Sequence, residues 1–164
     1  MSPTASAGGT TLAVSHVGLC VSDLERSLRF YTEGLGFETA EGWDIRGPLA
    51  RLAEVDGDML CRSQMIVKGP AKLELLGWTS PPAEGDALTR RNQIGFTHLS
   101  VHVEDLPSVA ERLVALGGTL LESTRLRIPM PDGPMDVLFV ADPDGVRVEL
   151  IEQHAAAAAA EEGP

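Results

Sequence analysis

The sequence predicts an α+β fold built from two tandem βαβββ modules, and three observations carry that expectation. The phrase HVGLCVSDL at 16–24 returns as HLSVHVEDL at 98–106, both reading His, apolar, small, apolar, any residue, Val, any residue, Asp, Leu. A second phrase, KLELL at 72–76, is answered by RVELI at 147–151. Between each pair of phrases lies one stretch of helical period, followed by stretches of strand period.

The elements follow in order. Residues 13–21 alternate Val17, Leu19 and Val21 with His16, Gly18 and Cys20, the pattern of a half-buried strand. Ser22 to Glu25 has capping-box spacing, and the helix after it sets Leu24, Leu28, Tyr31 and Leu35 on one stripe. Gly34 and Gly36 stop that helix, and a second strand begins at 37–40. Residues 41–58 read as irregular apart from a short helix at 48–55, and strands follow at 59–68 and 71–78 about a Gly69-Pro70 turn.

Residues 79–94, with Pro81-Pro82, Gly85 and no apolar period, form a linker. The second module opens with a strand at 96–103 and a helix capped by Asp105, with Leu106, Val109, Leu113 and Leu116 facing inward. Gly117-Gly118 stops the helix, and strands run at 119–128, 135–141 and 146–152. Pro131-Asp-Gly-Pro134 and Asp142-Pro-Asp-Gly145 make the hairpins between them. The modules therefore span 13–78 and 95–153, with a disordered leader at 1–12 and a low-complexity tail at 154–164.

Composition narrows the function. A formal net charge of -11 opposes nucleic acid, whose phosphates demand a basic surface. No apolar run approaches the roughly 20 residues of a membrane span, and the first residues lack the basic and apolar regions of a signal peptide. A cytoplasmic protein acting on a small molecule is the expectation. Cys20 and Cys61 form no CxxC motif, and Cys20 reads as a small buried hydrophobe.

Strand parity decides what the repeats carry. Side chains two apart share a face, so His16 joins Gly18 and Cys20, and His98 joins Ser100 and His102. Glu74 shares a face with Lys72 and Leu76, and Glu149 with Arg147 and Ile151. The opposite faces are aliphatic and must pack under the helices. The His and Glu rows thus lie on the other side of each sheet. Curved sheets paired about a pseudo-twofold would form a barrel-like mixed sheet, helices outside and these rows in a cleft. Two imidazoles and two carboxylates on rigid strands suit one divalent ion: Zn, Ni, Co, Mn or Fe(II).

With these residues in view, the chain resembles the vicinal oxygen chelate superfamily, the glyoxalase I and bleomycin-resistance fold. The matching phrases are HVGLCVSDLERSLRFYTEGLGFE, KLELL, and GFTHLSVHVEDL through FVADPDGVRVELIE. The resemblance puts the family's metal ligands on His16, Glu74, His98 and Glu149, the full set used by glyoxalase I. Methylmalonyl-CoA epimerases of the superfamily commonly have Gln where this chain has Glu74. The resemblance implies a metal-dependent isomerase, epimerase or lyase that polarises a carbonyl and stabilises an enediolate. Glu149 is then the base, with Glu74 as partner or alternate. It implies a homodimer as well, with modules paired within one chain or between chains.

Two other readings stay open. An Fe(II) dioxygenase would use two His and one carboxylate, although such members usually have a chain nearly twice as long. A metal-free drug- or metabolite-binding protein would usually lack several of these ligands. Smaller roles are open for His102, for Arg125 and Arg127 on one strand face, for Trp43 and Trp78 at the cleft mouth, and for Lys72 and Arg147 beside the carboxylates.

Overall fold

The computed structural model describes residues 13–87 and 90–156. The first module holds β1 (Val17–Val21), α1 (Leu24–Arg29) running into a π-helical turn (Phe30–Gly34), β2 (Glu38–Ile45), a 3-10 segment (Gly47–Ala53), β3 (Leu60–Lys68) and β4 (Ala71–Ser80). The second holds β5 (Leu99–His102), α2 (Leu106–Ala115), β6 (Thr119–Ile128), β7 (Met135–Ala141) and β8 (Arg147–Gln153). The strand orders are β1-β4-β3-β2 and β5-β8-β7-β6, the same plan twice. In each sheet the opening strand runs parallel to the closing one and the other pairs are antiparallel. The βαβββ expectation is met. The strands form two four-stranded sheets, with no closed barrel among the described residues.

Several local expectations shift. Helix α1 is capped by Asp23, not Ser22: the Asp23 carboxylate accepts from the Arg26 amide at 3.0 Å. Ser22 is drawn off to the second module, donating its amide and hydroxyl to Asp144. Asp105 caps α2 as expected, accepting from the Ser108 amide. β4 runs to Ser80, into the expected linker, and stops where Pro81 has no N–H to donate. The expected leader at 1–12 and the end of the tail, 157–164, lie outside the described residues. No helix among the described residues is long and apolar enough to cross a membrane.

The π-helical turn explains a departure from the predicted stripe. Phe30 and Tyr31 are consecutive, yet both are fully buried. A widened turn lets neighbouring positions share the inward side, which a 3.6-residue period does not. Their rings meet edge to face at 5.3 Å, and Tyr31 meets Phe37 in the same way at 6.2 Å. Around them one apolar cluster draws Ile66, Leu73 and Leu75 from the first sheet, Leu138, Val140, Val148 and Leu150 from the second, and Leu113 from α2. The modules therefore join through their helix sides. Gly34 permits the closest approach, since a Cβ there would lie 2.6 Å from Leu113 Cδ2.

Polar contacts lock the junction. Tyr31 donates its hydroxyl to Asp142 at 2.8 Å in the buried interior. Asp142 also accepts from the Asp144 and Val146 amides, closing its own turn. Arg26 pairs with Asp144 at 2.8 Å, and Arg112 Nε donates to the Gly34 carbonyl. The DPDG turn is thus the socket into which the first module's helix fits. Burial pushes the Asp142 carboxyl above the usual carboxylate range, with the Tyr31 hydrogen bond opposing the shift.

Two outcomes follow for equilibrium unfolding. Tyr31→Phe lowers the unfolding free energy by about 1–2 kcal/mol in urea titrations. The folded chain holds the Asp142 proton more tightly than the unfolded chain. Its contribution is therefore full below the unfolded pKa of about 3.9 and is lost as pH rises through the higher folded pKa. Asp142→Asn removes that loss, so its stability relative to the parent rises across this window and then levels off.

Candidate metal centre

The first three residues of each repeat explain how a half-site is made. His16 immediately precedes β1, and Gly18 lies directly across from Glu74 on β4. His98 immediately precedes β5, and Ser100 lies directly across from Glu149 on β8. The small residue of the repeat keeps bulk away from the carboxylate, and the His two positions earlier reaches over it. His16 Nε2 comes to 3.2 Å of Glu74 Oε2, and His98 Nε2 to 3.6 Å of Glu149 Oε2.

Both imidazoles are oriented from behind. His16 Nδ1 is 3.1 Å from the Ser15 hydroxyl, and His98 Nδ1 is 2.8 Å from the Thr97 hydroxyl. Each His therefore turns Nε2 to its Glu, the arrangement in which an outer partner fixes a ligating ring. The sequence carries this signal in the hydroxyl residue before each His, one position ahead of the repeated phrase. Phe139 adds a ring contact to His98, edge to face at 5.4 Å.

The residues fit a divalent ion. Two donors about 2.1 Å from one ion stand roughly 3.0–3.4 Å apart in octahedral or tetrahedral geometry. The observed Nε2–Oε2 separations of 3.2 and 3.6 Å sit close to that span. The Glu74 and Glu149 side chains keep only 13% and 20% of their surface exposed. Among the described residues no lysine or arginine forms an ion pair with either carboxylate. Lys72 turns to Glu41 at 3.7 Å, and Arg147 makes no ion pair among the described residues. Sheltered carboxylates without a cation are costly, and a metal ion would remove that cost.

The four candidate ligands come together as two pairs, not as one group. Among the described residues no cluster of three or more His, Cys, Asp or Glu side chains is placed to hold a metal. Each pair lies on the face of its sheet turned away from the shared apolar core.

The remaining candidates divide clearly. His102 ends β5, exposed, and belongs to neither pair. Arg125 is taken up by Glu122 at 2.6 and 3.0 Å, and Arg127 by Asp136 at 3.1 Å. Trp43 lies across from Ser63, and Trp78 across from Cys61, both on the face of Glu74. Cys20, expected to be buried, is exposed on the outer face of an edge strand; the buried thiol is Cys61. Burial first, then Cys20 and Glu74, push the Cys61 thiol up to about 11, so it stays protonated at neutral pH. Sequence reasoning missed Ser63, which is fully buried and donates its hydroxyl to Glu74 Oε1 at 2.5 Å.

Fold and half-sites together define a class: duplicated βαβββ chains in which each module opens on a histidine and closes on a glutamate. The profile of the Glyoxalase/Bleomycin resistance protein/Dioxygenase superfamily matches residues 13–150, and the chain belongs to that superfamily. It is 33% identical over 153 residues to a 2-epi-5-epi-valiolone epimerase from Actinomyces sp, covering 89% of this chain and 82% of that one. It is 30% identical over 145 residues to a lactoylglutathione lyase from Haemophilus influenzae, covering 86% and 93%. Among solved structures it matches a glyoxalase family protein from Bacillus cereus with TM-score 0.76 at 21% identity, covering 90% of this chain and 97% of that one. Glyoxalase I from Zea mays matches with TM-score 0.57 at 26% identity, over 87% of this chain and 44% of that one.

The hydroxyls behind the imidazoles give a direct test. Thr97→Val and Ser15→Ala should each weaken Ni(II) or Zn(II) binding about 10-fold in competition with a chromophoric chelator, with the far-ultraviolet circular dichroism unchanged.

Proposed function

We propose that the protein is a divalent-metal-dependent isomerase, epimerase or lyase that moves a proton next to a carbonyl of a small substrate. The observation that carries this reading is the pair of matching His–Glu half-sites, with the donor spacing of neighbouring ligands on one ion and no lysine or arginine paired with either carboxylate among the described residues. The relatives, named as an epimerase and as lactoylglutathione lyases, support chemistry of that kind. In this reading His16, Glu74, His98 and Glu149 hold one ion, and the setting is cytoplasmic.

A single chain presents two separate half-sites on faces turned from its core. The reading therefore includes a homodimer in which His16 and Glu74 of one protomer meet His98 and Glu149 of its partner. Both β1 and β5 are edge strands, which leaves each half-site beside a free sheet edge.

A bound divalent ion would supply Lewis acidity, polarising the substrate carbonyl and stabilising the charge that builds as the neighbouring C–H ionises. The protein does the rest. Glu149 accepts the proton from carbon and returns it. Return by Glu149 to a neighbouring carbon gives isomerisation, whereas epimerisation needs a second acid that delivers a proton to the opposite face. The imidazoles, held by Ser15 and Thr97, keep the donor set in place, while Trp43 and Trp78 wall the Glu74 face.

Metal reconstitution of the purified protein, coupled to deuterium wash-in from solvent, tests the reading on a panel of 2-oxo and acyl-thioester compounds. Metal-dependent exchange is expected, and Glu149→Gln should reduce it by about 10²–10⁴. Absence of bound metal together with no activation by any divalent ion would sink the proposal. Oxygen uptake with a catechol would replace it with the dioxygenase reading.

Mixing inactive variants tests the shared centre. If sites form between protomers, a mixture of His16→Ala and His98→Ala holds heterodimers with one intact site, and about a quarter of parental activity returns on random pairing. Sites confined to one chain would give no recovery.

A further inference from the structure

The two ligand carboxylates occupy equivalent places in the duplicated fold, yet their surroundings differ. Glu74 pairs across the sheet with Met65, and Glu149 with Phe139. Two residues earlier on those neighbouring strands stand Ser63 and Val137. The first module thus offers its carboxylate a hydroxyl where the second offers an isopropyl group.

The consequence is visible at the oxygens. Glu74 is held at both: Oε1 accepts from Ser63 at 2.5 Å, and Oε2 faces His16 at 3.2 Å. Glu149 faces only His98, at 3.6 Å, and accepts no hydrogen bond from any other group among the described residues. Of its neighbours, Val137 and Phe139 have no donor to give, and the exposed Ser100 across from it makes no hydrogen bond to it among the described residues. A hydrogen bond from a hydroxyl to an ionised carboxylate is short and strong. Ser63 is wholly buried, so moving Glu74 would strand its hydroxyl without a partner. That penalty lowers the population of a displaced Glu74 on the order of tenfold or more. Displacing Glu149 strands nothing comparable.

Resting on the proposed function, we infer that Ser63 is a positioning residue that latches Glu74 as the fixed ligand and so leaves Glu149 as the one carboxylate free to move and take the proton. The fold is symmetric about the site, and a single hydroxyl makes the site's chemistry one-sided.

The test uses full-length protein and needs no identified substrate for its first arm. Titration of metal-free protein with Ni(II) should show Ser63→Ala binding about 10-fold more weakly than the parent, and Ser63→Thr, which keeps the hydroxyl, near the parent value. If the parent itself binds no metal, the proposed function fails. If the parent binds and Ser63→Ala binds equally well, the latch alone is overturned. The second arm uses solvent deuterium exchange. Releasing Glu74 should give it access to the proton, so Ser63→Ala combined with Glu149→Gln should recover exchange at least about tenfold over Glu149→Gln alone. No recovery overturns the inference. Val137→Ser supplies a third reading should Ser63→Ala not fold. A hydroxyl offered to Glu149 should lower kcat with KM little changed, and an unchanged kcat counts against the latch.

Discussion

Everything in this molecule depends on the burial of Phe30 and Tyr31 between the two modules. A βαβββ unit has one sheet and one helix, and alone it covers only one face of that sheet. Here the helix sides of both modules close on each other, so a single apolar interior serves both sheets. The aromatic pair fills its centre, and the Tyr31 hydroxyl reaches the DPDG turn of the other module. Because the helix sides are spent on each other, the opposite faces remain for chemistry. That is why the His–Glu pairs look outward instead of into the core of their own chain.

Much of this was legible in the sequence because strands have a strict period of two. Once His16 and Glu74 were placed on strands, parity put them opposite Val17 and Leu73, and the repeat supplied the same result for His98 and Glu149. The structure follows that parity for Glu74 and Glu149, and His16 and His98 stand beside them. What parity cannot carry is partner choice across strands. Ser63 sits in a stretch without any motif, and only the register of β3 against β4 brings its hydroxyl under Glu74. Cap choice failed for a related reason. Ser22 and Asp23 are both good N-caps, and the winner was decided by Asp144, more than a hundred residues away. The π-helical turn was illegible too, since a pattern of 3.6 residues cannot place two adjacent rings inside.

Electrostatics sharpen the picture of the site. The chain is strongly acidic, and its arginines are largely committed: Arg26 to Asp144, Arg125 to Glu122 and Arg127 to Asp136. Among the described residues Lys72 and Arg147, beside the candidate carboxylates, do not pair with them. Two sheltered strand glutamates of a protein rich in carboxylates thus have no arginine or lysine paired with them among the described residues, while each imidazole has a hydroxyl beside it. Duplication accounts for the symmetry of that arrangement. The differing environments of Glu74 and Glu149 record how the halves have since diverged, at the strand next to the ligand and not at the ligand itself.

The position of β1 and β5 at the sheet edges sets a constraint of another kind. Exposed edges invite unwanted pairing between chains, and proteins usually blunt them with lysine, proline or an inward-pointing charge. Here both edges follow directly on a histidine of a His–Glu pair and are only five and four residues long. A blunting substitution would fall within a few residues of that histidine and disturb the surface that carries it. Protection against aggregation has to come from elsewhere, and the excess of negative charge over the whole chain is suited to it, since like-charged copies repel one another in solution. Acidity that says nothing about chemistry thus guards the edges beside which the His–Glu pairs stand.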